Sequence, residues 1–272
     1  MMQRVSSIRG HTLLELTIAV ALGLVVTAGA VSLYRSQRAT YQHASDAAQL
    51  REAGMTALTL IGQQLQMAGF TPADDLQPAA SGQVALFGCS GARPVGADER
   101  LTCETLPGRS DGIAIRYTAD NVSTWPSTGG QSTDCLGQGV VKALATAPGV
   151  PVVNRFYAKA SGSTGEPELY CEGSGKVGFS QPLVEGIERL RFRYWLAGAL
   201  APLEAAALTP AQWSSVVAVD LCVLVRGMRD TQPGRYVDCE GVSSIGADRR
   251  AREVFWRRVA IRNVADNERS QG

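Results

Sequence analysis

Apolar and polar residues are distributed unevenly along the chain, and the clearest feature is an apolar run near the N-terminus. Residues 16–34 contain no charged side chain, and a helix needs about 20 apolar residues to cross a bilayer. The preceding segment carries Arg4 and Arg9 and no acid, and positive charge before an apolar run marks the cytoplasmic side. The pattern therefore predicts one transmembrane helix, with the larger part of the chain on the non-cytoplasmic side.

A cleaved secretory signal peptide has a similar outline. The apolar run of 19 residues is longer than the roughly 7–15 residues of a signal-peptide core, which favours a retained anchor. The small residues Ala28, Gly29 and Ala30 leave ordinary signal cleavage open as an alternative.

The helical pattern continues beyond the apolar run. Residues 36–68 contain no proline, and Gly69 and Pro72 then form a stop signal, so we expect one helix over residues 12–68. Apolar residues recur at helical spacing in its second half, at Leu50, Ala53, Ala57, Leu58, Leu60, Ile61, Leu65 and Met67. Gly54 and Gly62 are expected to weaken this half by about 1 kcal/mol each. A coiled-coil stalk is the alternative, but it needs sustained heptads, which the sequence lacks.

Alternating polarity after residue 71 predicts β-strands. We expect strands over residues 111–117, 187–196, 216–225 and 254–264, and loops with short strands over 71–110 and 119–180. The residues expected to face inward are Leu190, Phe192, Tyr194 and Leu196 in the second strand and Val217, Val219, Leu221, Val223 and Val225 in the third. The predicted fold class is α+β, with the long helix packed on an antiparallel β-sheet.

The cysteines indicate a disulfide framework. There are six, at Cys89, Cys103, Cys135, Cys171, Cys222 and Cys239, and none belongs to a CxxC pair. Zinc and redox motifs need short cysteine spacings, so an oxidising compartment is the better explanation. Six cysteines allow many pairings, and our working hypothesis joins nearest neighbours: Cys89–Cys103, Cys135–Cys171 and Cys222–Cys239.

Composition and charge argue against catalysis and against nucleic-acid binding. The formal net charge is +1, from 26 basic and 25 acidic residues. The two histidines are His11, directly before the predicted helix, and His43, within it, which leaves the globular part without a Ser-His-Asp or Cys-His constellation. Acidic pairs at 74–75 and 98–99 lack the EF-hand spacing of a calcium loop. We expect no enzyme activity, no metal and no cofactor.

Glu15 is the unusual residue of the N-terminus, because a carboxylate at the start of an apolar helix is costly unless it has a partner. It lies in the sequence Gly10-His11-Thr12-Leu13-Leu14-Glu15-Leu16, after the basic residue Arg9. This segment resembles the type IV prepilin signature, although His11 stands where Phe or Met is usual. The resemblance implies cleavage between Gly10 and His11 by a prepilin peptidase and N-methylation of His11. It also implies that Glu15 attracts the N-terminal amine of a neighbouring subunit during assembly.

The resemblance divides the chain into four segments. They are a prepilin leader over residues 1–10, a transmembrane and assembly helix over 11–35, its amphipathic continuation over 36–70, and a disulfide-stapled β-rich domain over 71–272. It implies a single-pass inner-membrane protein with its C-terminal domain in the periplasm, which later joins a fibre at the cell surface.

Segments of the globular part are similar to PilW-type minor pilins. They are Met67-Ala68-Gly69-Phe70, Gln181-Pro182-Leu183-Val184-Glu185-Gly186-Ile187, Leu190-Arg191-Phe192-Arg193-Tyr194 and Arg258-Val259-Ala260-Ile261-Arg262-Asn263. This similarity implies a low-abundance subunit that primes pilus assembly near the tip. Its partners would be other minor and major pilins and the inner-membrane assembly machinery.

Two other functions share the N-terminal features. A minor pseudopilin of a type II secretion system would have the same leader and anchor. A DNA-uptake or adhesion pilin would bind its ligand directly, with a candidate basic patch formed by Arg189, Arg191, Arg193, Arg257, Arg258 and Arg262.

Overall fold

The computed structural model describes residues 12–72, 84–120, 124–140, 149–230, 234–246 and 248–263. The chain forms two compact units, residues 1–48 and 49–272, and a single helix, α1, extends over Leu13–Met67. In the first unit the described residues are helical from Leu13, and α1 contains a stretch long and apolar enough to cross a membrane. Large apolar side chains there, such as Leu24 and Val26, are exposed.

The second unit contains two antiparallel sheets. The five-stranded sheet has the order β1 (Leu86–Cys89), β4 (Gly112–Ala119), β5 (Val150–Ala160), β6 (Pro167–Gly173) and β7 (Ser180–Glu185). The four-stranded sheet has the order β13 (Arg250–Ala260), β10 (Val216–Asp230), β8 (Ile187–Leu196) and β9 (Leu203–Glu204). Two ribbons pair β2 (Ala92–Ala97) with β3 (Arg100–Thr105) and β11 (Arg235–Val237) with β12 (Ser243–Ile245), and short 3₁₀ helices cover Ala205–Ala207 and Pro210–Ser215. The predicted class, a long apolar helix with an antiparallel β domain, is confirmed.

The C-terminal part of α1 packs on both sheets and completes the core. Its buried residues in the second unit are Leu50, Gly54, Ala57, Leu58, Ile61, Gly62 and Leu65, so both glycines lie on the buried face. A Cβ atom added at Gly54 would lie 2.2 Å from Cδ2 of Phe255, and one at Gly62 would lie 3.3 Å from a guanidinium nitrogen of Arg257. The cost expected from glycine propensity is therefore accompanied by a close approach of β13 to the helix.

Strand β5 is the main element that the sequence pattern does not predict. Loops and short strands were expected over residues 119–180, yet β5 is an 11-residue strand at the centre of its sheet. Its residues are buried on both faces because the β2–β3 ribbon covers the outer side: Arg155 is fully buried and pairs with Asp98, and Arg93 lies 5.3 Å from the ring centroid of Tyr157. The alternation of apolar and polar residues does not reveal this strand, because a charged residue, Arg155, occupies one of its buried positions.

Strands β10 and β13 also differ from their predicted extents. Strand β10 continues to Asp230, and β13 begins at Arg250 rather than at residue 254. A register shift between Val216 and Ala218 opposite β8 turns Val216 into the core and leaves Val217 partly exposed. The predicted inward position of Val217 is wrong because a bulge inserts one residue into the alternation.

Three disulfides join Cys89 to Cys103, Cys135 to Cys171 and Cys222 to Cys239. These are the nearest-neighbour pairs of the working hypothesis. Each bridge closes a short segment, with sequence separations of 14, 36 and 17 residues, and loops of this size contribute about 3 kcal/mol each in the chain-entropy description.

One glycine carries the chain from the first sheet to the second. Gly186 lies between β7 and β8 with φ of 81°. Its N–H donates to the carbonyl of Pro167 at 2.7 Å, and its carbonyl accepts from the N–H of Arg226 at 2.7 Å. The crossing is thereby hydrogen-bonded to β6 on one side and to β10 on the other, and its positive φ explains the glycine at position 186.

An ion-pair network joins the two sheets close to this crossing. Glu166 accepts from Arg226 at 2.8 Å and from Arg250 at 2.5 Å, and Asp248 pairs with Arg252 at 2.6 Å. Hydrogen bonds from Arg252 lower the pKa of Asp248 to about 2, and hydrogen bonds from Arg250 and Arg226 lower the pKa of Glu166.

We predict that this network makes stability depend on acid pH. Because both carboxyls have folded-state pKa values below their unfolded values, the stabilisation is complete above about pH 5 and is lost as the pH falls toward about 2. Asp248→Asn should cost about 1 kcal/mol at neutral pH after screening at this partly exposed site, and less at pH 2. Denaturant titrations at both pH values test this, and an equal loss at both would contradict it.

Candidate assembly surfaces

The N-terminal end of α1 is the first candidate site. Gly10 and His11, the predicted cleavage and methylation positions, lie outside the described residues. The helix begins with a reciprocal capping box: the Thr12 N–H donates to Oε2 of Glu15 at 2.9 Å, and the Glu15 N–H donates to Oγ1 of Thr12 at 3.3 Å. This arrangement satisfies two of the N–H groups that a helix start leaves unpaired.

The capping box gives Glu15 a role within its own chain. Its carboxylate lies at the positive end of the helix dipole and accepts a backbone hydrogen bond there. The Thr-x-x-Glu spacing before an apolar run is itself a helix-start signal, so this local role of Glu15 is indicated by the sequence as well. An ion pair between Glu15 and another subunit must therefore compete with the hydrogen bond from the Thr12 N–H.

The arginine row of β8 is the second candidate site. Arg191 donates to Oδ1 of Asp111 at 2.8 Å, and both Arg191 and Arg189 pair with Glu240 of the loop that the Cys222–Cys239 disulfide anchors. Asp111 also accepts from the N–H groups of Gly91 and Phe192. The row therefore joins the disulfide loop and the start of β4 to β8, and these two arginines are compensated by acids.

Burial raises the pKa of Asp111 despite these donors. The side chain is 6% exposed, so desolvation of the charged form outweighs its hydrogen bonds and its pair with Arg191. This carboxylate links the Gly91 backbone, β4 and β8 through its hydrogen bonds. No nucleophile or second acid lies within hydrogen-bond distance of it among the described residues.

The arginines proposed as a basic patch do not all lie on one face, because Arg193 and Arg258 flank Asp220 on one side of the sheet whereas Arg257 lies on the other. Arg258 makes two hydrogen bonds to Asp220, at 2.5 and 2.9 Å, and lowers the pKa of Asp220. Arg257 lies on the opposite side of β13, because neighbouring strand residues alternate, with its guanidinium beside Gly62. Division between two faces and pairing with acids remove the concentrated positive charge that phosphate binding requires.

The remaining candidate residues from the sequence are His43 and the two acidic pairs. His43 is exposed on α1, and Asp98 of the second acidic pair is engaged by Arg155, while residues 74–75 lie outside the described chain. Among the described residues, no three His, Cys, Asp or Glu side chains are grouped to hold a metal ion.

Comparison with known proteins identifies a related family. Residues 155–263 match the family model of type IV pilus-assembly protein W, a region from β5 to the end of β13 that contains most of the segments identified in the sequence. The predicted similarity to PilW-type pilins is confirmed over this region. A type IV-like pilin from Thermus thermophilus aligns structurally with 79% of this chain and 98% of its own, at 12% sequence identity and a TM-score of 0.42. No curated protein matches the chain in sequence.

Proposed function

We propose that this chain, with its match to type IV pilus-assembly protein W, is a minor pilin that primes assembly of a type IV pilus. The match over residues 155–263 is the observation that carries the proposal. The apolar helix that precedes the matched domain in the described part of the chain supports it, because a pilin needs both parts in this order. The role is structural, and no catalytic step is assigned to the chain.

The proposed pathway begins at the inner membrane. Residues 1–10 form a leader, and residues 11–35 anchor the chain with its globular domain in the periplasm, where disulfides are stable. A prepilin peptidase cuts between Gly10 and His11, and the new amine of His11 is methylated. The anchor then leaves the bilayer by lateral association with other pilin helices.

Glu15 supplies the attraction in this step. An amine at residue 11 of an adjacent subunit neutralises its carboxylate, and the pair replaces two separate charges in an apolar bundle. The partners are other minor and major pilins, and the position is near the tip of the fibre. A pseudopilin of a secretion system would use the same chemistry, and the family match favours the pilus.

Replacing Gly10 tests the proposal. We predict that Gly10→Val leaves a membrane-inserted precursor that retains residues 1–10, because the proposed cleavage site is the bond directly after the glycine that ends the leader. Gly23→Ala is the matched control, since a Cβ atom at Gly23 meets nothing within 4 Å, and this variant should be processed normally. Intact mass of the membrane fraction distinguishes the forms; a mature chain of normal size from Gly10→Val would overturn the proposed cleavage.

A further inference from the structure

Two tyrosines and two arginines lie where the apolar run of α1 ends. Tyr34 is the last residue of that run, Arg35 and Arg38 follow it, and Tyr41 comes three residues after Arg38. All four side chains are exposed, Tyr34 at 63% and Tyr41 at 74%. We call these four residues the Tyr–Arg face, which neither of the candidate sites above includes.

Helical spacing places the four residues on one side of α1. Each residue turns the helix by about 100°, so positions 34, 35, 38 and 41 fall within about 120° of its circumference. Arg35 and Arg38 are three residues apart and are therefore neighbours on the helix surface. Thr40 lies at the same level on the opposite side, where its hydroxyl donates to the carbonyl of Ser36 at 3.1 Å.

The chain supplies no acid to these arginines. Residues 16–45 contain neither Asp nor Glu, and Arg35 and Arg38 form no ion pair with any residue that the structure describes. The next acid, Asp46, is about 12 Å further along the helix than Arg38. Two neighbouring guanidinium groups are thus available to an anion from outside the chain.

The segments outside the described residues do not reach the Tyr–Arg face. Residues 73–83 and 264–272 both begin close to Ala68 at the far end of α1, and Ala68 is about 40 Å from Tyr41 along the helix. Residues 264–272 extend at most about 32 Å, and a loop that returns to its starting end reaches less. The other internal segments are shorter and connect parts of the second unit. Residues 1–10 are removed in the proposed processing.

The Tyr–Arg face lies at the level of the lipid phosphates when the apolar run crosses the bilayer. Residues 16–34 rise about 28 Å, which matches a hydrocarbon core of about 30 Å. Arg35 and Arg38 occupy the next 6 Å or so, within the headgroup layer. Tyrosine is enriched at this boundary, and guanidinium groups bind phosphate through paired hydrogen bonds.

A shallow groove on the same side of α1 leads to this face. It ends at Arg35, and its other lining residues are Leu24, Thr27, Ala28, Val31 and Ser32. A molecule with a phosphate at Arg35 and a hydrocarbon chain along the groove fits both parts.

We infer that Arg35 and Arg38 bind the phosphate of an anionic phospholipid at the non-cytoplasmic face of the membrane. Glu15 precedes Arg35 by about 30 Å of helix, so a phosphate bound there holds Glu15 at the opposite boundary of the hydrocarbon core. A second copy at the same level would add two arginines and no acid, which disfavours it as the partner. The inference rests on the proposed function, which makes α1 a membrane anchor.

Photo-crosslinking of the full-length chain tests the inference, in phosphatidylcholine vesicles that contain phosphatidylglycerol as a minor component. A photoreactive phenylalanine in place of Tyr41 should give adducts enriched in phosphatidylglycerol about fivefold over its share of the vesicle lipid. The same probe in place of Thr40, at the same depth on the opposite side, should give adducts at the bulk ratio. Arg35→Gln combined with Arg38→Gln should abolish the enrichment at position 41. Arg51→Gln, at an exposed arginine further along α1, should preserve it.

The outcomes separate the inference from the proposed function. Adducts at the bulk lipid ratio, adducts with a second copy, equal enrichment at positions 40 and 41, or enrichment that survives the double substitution would overturn the phosphate site. The mass of the N-terminal peptide is measured in the same preparation. A chain that begins at His11 but shows no enrichment leaves the proposed function standing, whereas a chain that still begins at Met1 contradicts the proposed function, whatever its lipid adducts.

Discussion

Glu15→Gln should leave the chain processed and inserted in the membrane but reduce its incorporation into fibres about 100-fold. Glutamine at the third helical position still accepts the Thr12 N–H, so the capping box survives. The negative charge is lost, and removing one member of a buried ion pair costs about 3 kcal/mol, which corresponds to this factor. The measurement is the amount of the chain in sheared fibres relative to the amount in membranes.

Thr12→Ala is the counterpart of this variant. It removes the hydroxyl that accepts the Glu15 N–H and retains the carboxylate, so it should weaken the helix start by about 1 kcal/mol and leave incorporation near normal. Glu52→Gln, at an exposed carboxylate further along α1, controls for charge alone. If Glu15→Gln assembles normally while Thr12→Ala does not, Glu15 acts only as a helix cap.

Gly186→Ala should destabilise the globular domain by about 3 kcal/mol. Two effects add at this position. Its φ of 81° is strained for any residue with a side chain, at about 1 kcal/mol or more. An added Cβ atom would also lie 2.9 Å from the carbonyl oxygen of Arg226, a backbone atom that cannot move without breaking the junction between the sheets. Thermal and denaturant unfolding measure the loss.

Gly198→Ala isolates the first effect, the backbone strain. Gly198 has a similar φ of 73°, and an added Cβ atom would meet nothing within 4 Å, so only the backbone strain should appear, at about 1 kcal/mol. Equal losses in the two variants would show that the contact at the sheet crossing contributes nothing.

Much of the fold could be predicted where one face of an element is apolar. Strand β8 has the predicted bounds, because Leu190, Phe192 and Tyr194 alternate with arginines. Strand β5 could not be found in this way, since the ribbon that covers its outer face comes from residues 92–105 and places Arg155 in the interior. The bulge that exchanges Val216 for Val217 depends on pairing with β8, which local alternation does not encode.

The candidate site was predictable only in part. The spacing of Gly10, His11 and Glu15 is a local signal, and so is the Thr-x-x-Glu spacing of the capping box at Thr12. The acidic partners of Arg191 and Arg258 could not be predicted from the sequence, because Asp111 and Asp220 are far from them in the chain.

The central claim is that a carboxylate in an apolar helix is matched to a newly made N-terminal amine. The most direct test is the mass of the N-terminal peptide of the native protein from membranes and fibres. The account predicts a chain that begins at His11 and carries one methyl group on its amine. A chain that still begins at Met1, or one that begins after the apolar residues 16–34, would contradict it.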